Sequence, residues 1–259
     1  MKLQLTVDRV LILVLCIAAW QFCSMQWGLH WFSSPLKTTN RTIELLGNGD
    51  LLYHTAYTAK AALYGFLVGG IPGLLLPFAL RRSPVVNAIL DPYLAAGYGV
   101  PKLALAPLFV LWFGIDLEPK VALVASLVSF LVFFSTMAGV QAVNGQYVNM
   151  ARVAGASERD IARHIVWPGA IPYAFAGFRI AAPYSIGGAV VGELISSNRG
   201  LGYMIQAGAT DFDTTTVFVS LFTLTIIVVI INWLVANLER WLLRWRPRTG
   251  AGASWVPGA

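Results

Sequence analysis

The sequence predicts an all-α, polytopic membrane protein with about six transmembrane helices. Of its 259 residues, 57% are hydrophobic and 12% are charged, and the mean hydropathy is +0.68. Soluble domains carry roughly 25% charged residues, and this chain has no charged stretch long enough to form one. Several apolar runs reach the roughly 20 residues that an α-helix needs to cross a bilayer. We therefore expect residues 1–259 to form a single integral membrane domain.

Six apolar runs are candidate spans. The first has the basic end and apolar core of a signal peptide but no clear cleavage site, so we expect it to be retained as a helix. The third run is the shortest and can be extended backwards through YLAAGYGV. In the second run, Gly65, Gly69 and Gly73 recur every four residues and predict close helix packing. The predicted spans are about 10–29, 56–80, 102–114, 120–140, 171–195 and 217–242.

The distribution of Lys and Arg predicts that both termini are cytoplasmic. With the N-terminus placed inside, the cytoplasmic segments carry a large excess of basic residues, which is the pattern of membrane proteins. This accounts for the net charge of +6 better than nucleic-acid binding does, because no basic-aromatic patch is present. Lys60 and Lys102 lie near span ends and are ambiguous. The inner residues are Lys2, Arg9, Arg81, Arg82, Arg152, Arg159, Arg163, Arg179, Arg240, Arg244, Arg246 and Arg248, and the outer ones are Lys37, Arg41, Lys120 and Arg199.

The sequence contains no motif for nucleotide, metal or disulfide chemistry. It lacks the G-x-x-x-x-G-K-[ST] loop that holds nucleotide phosphates. Cys16 and Cys23 both fall in the first span and form neither a metal site nor a disulfide framework. His30 and His54 are unpaired in the first outer loop. We expect no cofactor, no metal and no enzymatic activity, and we expect the Gly/Ala/Pro-rich tail at 248–259 to be disordered.

One polar segment interrupts the apolar chain between the fourth and fifth predicted spans, MARVAGASERDIARHIVWPGAIP at 150–172. Ser157 and Asp160 form a capping-box pattern that predicts a helix start. Gly155 supplies a turn before it, and Pro168 is expected to end the new helix. The pattern predicts two short helices joined at a sharp corner on the cytoplasmic face.

Such short helices are stable only with tertiary contacts. The segment therefore packs on its own protein or docks into another, and the small residues Ala151, Gly155 and Ala156 allow a partner to approach closely. An ordinary amphipathic helix at the membrane interface is the alternative.

The segment ARVAGASERDIARHIVWPGAIPYAFAGFRIA resembles the signature loop of ABC importer permeases, the binding-protein-dependent inner-membrane components. Ala151, Gly155 and Pro168 occupy the expected Ala, Gly and Pro positions of that loop. Asn149 stands where Glu is usual and Met150 where Ala is usual.

Three further stretches resemble the nitrate/sulfonate/taurine branch of these permeases. LALAPLFVLWFGI (103–115) is similar to its P-L…W-F-G run, GELISSNRGLGYMI (192–205) to its G-L-G segment, and VANLERWLLRWRP to its basic end. Together with the signature loop they cover about 56–247, which is most of the chain.

The resemblance implies the type I ABC importer permease fold in a bacterial inner membrane, with a core at 56–243 and a cytoplasmic coupling loop at 149–168. The implied partners are ATP-binding cassette ATPase subunits, a periplasmic substrate-binding protein, a second identical permease copy and the lipid bilayer, with no nucleic acid. The predicted coupling residues are Ala151, Arg152, Gly155, Ala156, Ser157, Asp160, Ile161, His164 and Pro168.

Polar residues inside the spans are candidates for the translocation path. Glu193 is an ionisable residue at membrane depth. Three roles are open for it: lining the path, steadying a re-entrant G-L-G segment, or pairing with Arg199. Hydroxyls in membrane helices more often bond their own backbone. The path candidates are Ser129, Tyr184, Glu193, Gly200 and Gly202.

The branch resemblance implies import of a small anion such as a sulfonate, taurine or nitrate. The same branch also serves pyrimidine-type vitamin precursors, which is the alternative. An ion-coupled secondary transporter would show midplane carboxylates and internal repeats, and neither is visible in the sequence.

Overall fold

The computed structural model describes residues 2–28 and 31–244, and over these ranges its regular structure is entirely helical. The predicted disordered tail, Arg246, Arg248 and His30 lie outside the described residues. The helices are α1 (Lys2–Trp27), α2 (Pro35–Gly47), α3 (Asp50–Leu80), α4 (Pro84–Gly99), α5 (Ala106–Phe113), α6 (Leu117–Gln141), α7 (Gly145–Val153), α8 (Glu158–Ile161), α9 (Trp167–Ile195), α10 (Leu201–Thr210) and α11 (Thr214–Leu242).

Five helical segments of the described chain are long and apolar enough to cross a membrane, and a bent pair makes a sixth if it counts as one span. This confirms the predicted fold class. The third span is not the single helix that the sequence predicted, because α4 and the segment Lys102–Phe113 meet at an angle of 79°. Val100 is extended, with φ −63° and ψ 130°. The residue before a proline avoids helical angles, so Pro101 ends α4.

The predicted first outer loop contains α2, which sequence reasoning missed, and α3 starts at Asp50 rather than at position 56. The signal for α2 is local. Ser34 caps the helix by accepting a hydrogen bond from the Lys37 amide, and Pro35 occupies the first turn. Gly49 adopts a left-handed φ of 85°, which allows the chain to turn directly into α3.

The core is formed by α3, α6 and α9, with α6 packed against both of the others. The glycine ridge of α3 lies against the α6 backbone, as the sequence predicted. A Cβ atom built on Gly69 would lie 2.3 Å from the carbonyl oxygen of Ala125, and one on Gly65 would lie 2.4 Å from the Val124 Cβ. Only glycine permits this approach, and small residues at helix contacts provide the packing that lipid cannot.

The first helix, α1, lies at the periphery, and its apolar window is not buried against the rest of the protein. It makes contact near its C-terminal end, where Trp20 stacks on Phe218 of α11 with ring centroids 5.6 Å apart. The Trp20 indole also donates to the carbonyl oxygen of Ser33 at 2.7 Å. The remaining apolar surface of α1 is available to lipid.

The glycine ridge gives a stability prediction. We expect Gly69→Ala to destabilise the folded protein by about 1–3 kcal/mol, because the added methyl group meets backbone atoms that cannot move aside. Gly187→Ala is the matched control, since a Cβ at this helical glycine has nothing within 4 Å. Thermal unfolding of the purified proteins in detergent measures the difference. Equal melting temperatures for the two variants would contradict the packing argument.

Candidate functional site

The polar segment forms a helical corner between α7 and α8. Gly155 has a φ of +83°, and its amide donates to the carbonyl of Arg152 at 3.0 Å, while the Ala156 amide donates to Ala151 at 3.0 Å. This pair of bonds is the Schellman ending of a helix. The next helix begins with the predicted capping box, in which the Asp160 amide donates to the Ser157 hydroxyl and the Ser157 amide to the Asp160 carboxylate, each at 3.2 Å.

Pro168 does not end the helix, which corrects the sequence prediction. The chain stays helical from Glu158 to Ile195 through one π-helical turn at Ala162–Val166. Trp167 donates its amide to the Ala162 carbonyl, five residues back. A proline ring normally collides with the carbonyl four residues earlier. The wider π-turn directly before Pro168 provides room for the ring, so the proline is accommodated in the first turn of α9.

A small apolar cluster attaches the corner to the membrane helices. Ile161 and Val166 are both completely buried and pack with Val140 of α6 and Ala170 of α9. Ile161 was predicted as a coupling residue, and in the structure it anchors the corner rather than facing outwards. This burial holds the start of the Glu158–Ile195 helical segment against the end of α6.

Charged pairs hold α7, α8 and the end of α3 together. Arg152 contacts Glu158 at 2.8 Å, and Arg81 lies 4.0 Å from the same carboxylate. Exposed pairs of this kind contribute little stability. Their effect is to orient the corner relative to α3.

The side of the corner that faces away from the membrane helices is exposed. Among the predicted coupling residues, Arg152, Gly155, Ser157, Asp160 and His164 are exposed, while Ala151, Ala156 and Pro168 are half-buried. Sequence reasoning missed an apolar face on α7. Tyr147, Met150 and Val153 recur every three residues, and their exposed fractions are 60%, 68% and 92%. The three-residue spacing was the available signal.

A cleft of about 700 Å³ lies beside the corner, between the end of α3 and the α8–α9 junction. Phe78 and Trp167 meet along it with ring centroids 4.5 Å apart. The wall is strongly basic, which suits an acidic partner surface. The basic residues are Arg81, Arg82, Arg159 and Arg163.

At the other end of α9, three side chains cap the start of α10. The Gly200 amide donates to His54 Nδ1 at 3.0 Å. The Leu201 amide donates to Thr58 Oγ1 at 2.8 Å, and the Gly202 amide donates to Glu193 Oε2 at 2.8 Å. Successive free amides at a helix start need such partners. The G-L-G sequence therefore forms the start of helix α10, with Gly200 as its N-cap. His54 and Thr58, both on α3, were not predicted to contribute.

The Glu193 carboxylate has its hydrogen-bond partners on α3 and α10. The carboxylate is 1% exposed and accepts from the Thr58 hydroxyl at 3.0 Å as well as from Gly202. Arg199 instead lies 6.0 Å from the centre of the Tyr57 ring. Gly200 is required here, since a Cβ atom on it would lie 2.2 Å from the Glu193 carboxyl carbon.

Lys120, which the charge distribution assigned to an outer segment, is completely buried. Its ammonium donates to the carbonyls of Ile115, Asp116 and Ser196 at 2.5, 2.7 and 2.5 Å. These bonds join the start of α6 to the end of α9, next to the Glu193 cluster. All three ammonium hydrogens are used, as burial of a charged group demands.

The remaining path candidates differ in exposure. The Ser129 hydroxyl donates to the carbonyl of Ser126 at 3.2 Å within its own helix. Tyr184 is 56% exposed near the middle of α9. Arg179, which is nearer to the N-terminal end of the same helix, pairs with Glu239 of α11.

A family model described as the binding-protein-dependent transport system inner membrane component matches residues 65–244. The chain belongs to this family. The matched region runs from the glycine ridge through the helical corner to the end of α11. The protein is therefore an ABC importer permease, a multi-pass membrane subunit, as the signature loop indicated.

Named relatives agree with this assignment. The riboflavin transport system permease RibX of Chloroflexus aurantiacus is 36% identical, over 82% of this chain and 79% of its own. The formylaminopyrimidine transport permease ThiX of Halalkalibacterium halodurans is 31% identical, over 93% and 96%. The putative aliphatic sulfonates transport permease SsuC of Bacillus subtilis is 33% identical, over 89% and 84%.

Solved structures show the same fold. An inward-facing structure of the MetNI methionine ABC transporter superposes with a TM-score of 0.59, over 72% of this chain and 91% of that one, at 18% identity. The ABC permease fold that the sequence predicted is confirmed.

The capping cluster gives a second stability prediction. Thr58→Val keeps the side-chain shape but leaves the buried Leu201 amide without a partner, so we expect a loss of about 1–3 kcal/mol and faster hydrogen exchange at the start of α10. Thr225→Val is the control, because the Thr225 hydroxyl is exposed and bonds only to Leu221 of its own helix. Thermal unfolding and amide exchange measured by mass spectrometry test both effects. An α10 whose exchange is unaltered in Thr58→Val would refute the capping role.

Proposed function

We propose that this permease forms one half of the translocation path of an ATP-driven importer, and that the corner between α7 and α8 is where an ATPase subunit binds. The observation that carries the proposal is that one side of the corner packs on the membrane helices while the opposite side is exposed. Ile161 and Val166 fix the corner to the membrane helices, while Tyr147, Met150 and Val153 leave an apolar face uncovered. An exposed apolar patch rimmed by polar residues is typical of a protein interface.

The charge next to this face supports the same partner. The basic cleft continues the surface that begins at the corner, and the chain has no nucleotide-binding motif of its own. The energy must then come from a separate ATPase, and a basic cleft beside an apolar face fits a partner with acidic and apolar groups.

We propose the orientation in which the corner, the basic cleft and both termini are cytoplasmic. Arg81, Arg152 and Arg163 all lie at this end of the helices. The excess of basic residues is expected on the inner side. The bent pair then counts as one crossing, and the Glu193 cluster lies towards the outer side, where a substrate-binding protein delivers the solute.

We further propose that a second identical copy completes the path. Large apolar residues of α5 are uncovered, with Leu111 78% and Trp112 61% exposed, and they form a surface on which a second copy can pack. Tyr184 is the path candidate with an uncovered side chain. In this proposal Glu193, Gly200 and Gly202 act indirectly, by positioning α10 at the end of α9. The Ser129 hydroxyl bonds within α6.

Two solute classes are supported. The likeness to the sulfonate permease SsuC supports a small anion of the sulfonate, taurine or nitrate type. The likeness to RibX and ThiX supports a planar, pyrimidine-type solute.

The ATPase-binding role is tested at Gly155. Gly155→Trp places a bulky ring on the exposed corner, and we expect at least about a tenfold loss of ATPase subunits copurifying with the tagged permease, which corresponds to about 1.4 kcal/mol. Gly155→Ala is the matched control, because it carries the same left-handed backbone strain without the bulk. If the Trp variant retains the ATPase as well as the Ala variant does, the corner is not the binding site.

The proposed orientation is tested by cysteine labelling. After Cys16 and Cys23 are replaced by Ser, a single cysteine is introduced by Val153→Cys or by Asn198→Cys, both at exposed positions. We expect a membrane-impermeant maleimide to label the Asn198 variant in intact cells and the Val153 variant only after permeabilisation. The reverse pattern would invert the proposed topology.

A further inference from the structure

A second cleft lies in the angle between α4 and α5, away from the ATPase-binding corner. Its volume is about 340 Å³, and α6 and α9 form its other walls. Phe130 lies near the middle of α6 and Tyr184 near the middle of α9, so the cleft is close to mid-height in the membrane. Broken helices at this depth mark solute sites in other membrane transporters.

The walls of the cleft are aromatic and aliphatic. Tyr98 and Tyr184 are 51% and 56% exposed, although both lie in membrane-spanning segments. Tyr98 also packs on the rings of Phe130 and Phe134, with centroids 6.4 and 5.0 Å away. Packing against these rings holds the Tyr98 ring in place, which leaves it an ordered surface for another ring.

A largely buried cation, Lys102, forms part of the cleft wall. Lys102 is 8% exposed, and its ammonium donates to the carbonyls of Gly97, Tyr98 and Val100 at 2.6, 2.7 and 3.2 Å. It also lies 4.3 Å from the centre of the Phe130 ring. Within residues 2–28 and 31–244 it forms no ion pair with a carboxylate.

These contacts define what the cleft can accept. All three Lys102 hydrogens are taken by carbonyls, so the lysine supplies positive charge without a free hydrogen bond. A positive charge beside the cleft disfavours cationic solutes. Small, strongly hydrated anions lose their water on entry. In return the cleft offers them two phenol hydroxyls and the nearby Lys102 charge, but no free ammonium hydrogen to replace the lost water.

We propose that this cleft is a solute subsite for a planar nitrogen heteroaromatic ring, neutral or anionic, stacked between the side chains of Tyr98 and Tyr184. The inference rests on the proposed function, since it assumes that the permease conducts a solute, and it selects the ring-containing class over the small anions. The fit is chemical: electron-rich phenol rings stack well on electron-poor heteroaromatic rings. Apart from Lys102, the remaining wall is apolar, as in most small-molecule sites.

Binding to the purified permease–ATPase complex in nanodiscs tests the subsite. The probes are riboflavin, followed by quenching of its fluorescence, a radiolabelled aminopyrimidine, and radiolabelled taurine. We expect at least one of the two ring probes to bind and taurine not to compete. Tyr184→Leu and Tyr98→Leu should each weaken ring binding about tenfold, and Tyr184→Phe should retain it, because the stacking surface rather than the hydroxyl is required.

Tyr173→Leu is the matched control, since Tyr173 is also exposed on α9 but does not line the cleft. Ring binding that is equal in the Tyr98, Tyr184 and Tyr173 variants would overturn the subsite, as would taurine binding with no ring binding. ATPase-dependent solute uptake in cells is measured in parallel. Uptake that persists unchanged in Tyr184→Leu would overturn the proposed subsite but not the proposed function. Uptake that needs no ATPase subunit would overturn the proposed function itself.

Discussion

The close backbone contact between α3 and α6 determines where the other functional parts lie. In a bilayer, helices gain no hydrophobic free energy by associating, so packing must hold them together. The glycines of α3 bring its backbone against α6. This contact fixes both ends of α3. At one end His54 and Thr58 reach the start of α10, and at the other Phe78 and Arg81 reach the α7–α8 corner.

Backbone atoms freed by chain breaks are satisfied by a few polar side chains. The Lys102 ammonium donates hydrogen bonds to three carbonyls at the end of α4. The Lys120 ammonium donates to three carbonyls between α6 and α9. Glu193 and Thr58 serve the amides of α10. Unpaired backbone groups at membrane depth would cost several kcal/mol each. Ionisable residues in these spans therefore need not contact solute to be indispensable.

Sequence patterns predicted the features that are local or repetitive. Apolar runs gave most spans, the four-residue glycine repeat gave the α3 contact, and Ser157 with Asp160 gave the capping box. The π-turn before Pro168 escaped prediction because proline ordinarily ends a helix. Packing of Ile161 and Val166 against Val140 and Ala170 stabilises the continuous form, and this packing is not visible in the local sequence. The His54–Gly200 bond joins residues far apart in sequence, and no pattern in a single sequence indicates such a pairing.

The uninterrupted helical path from Glu158 to Ile195 has a mechanical consequence. Its 38 residues span roughly 57 Å at 1.5 Å per residue, and Tyr184 lies on the same rod as the α8 turn. A rod pivoting by about 5° at its midpoint displaces each tip by roughly 2.5 Å, given that length. Tyr184 lies about 11 Å from the midpoint of this segment, so the same tilt moves it by roughly 1 Å. The π-turn at Ala162–Val166 and the internal prolines Pro172 and Pro183 are the points at which the helix can bend.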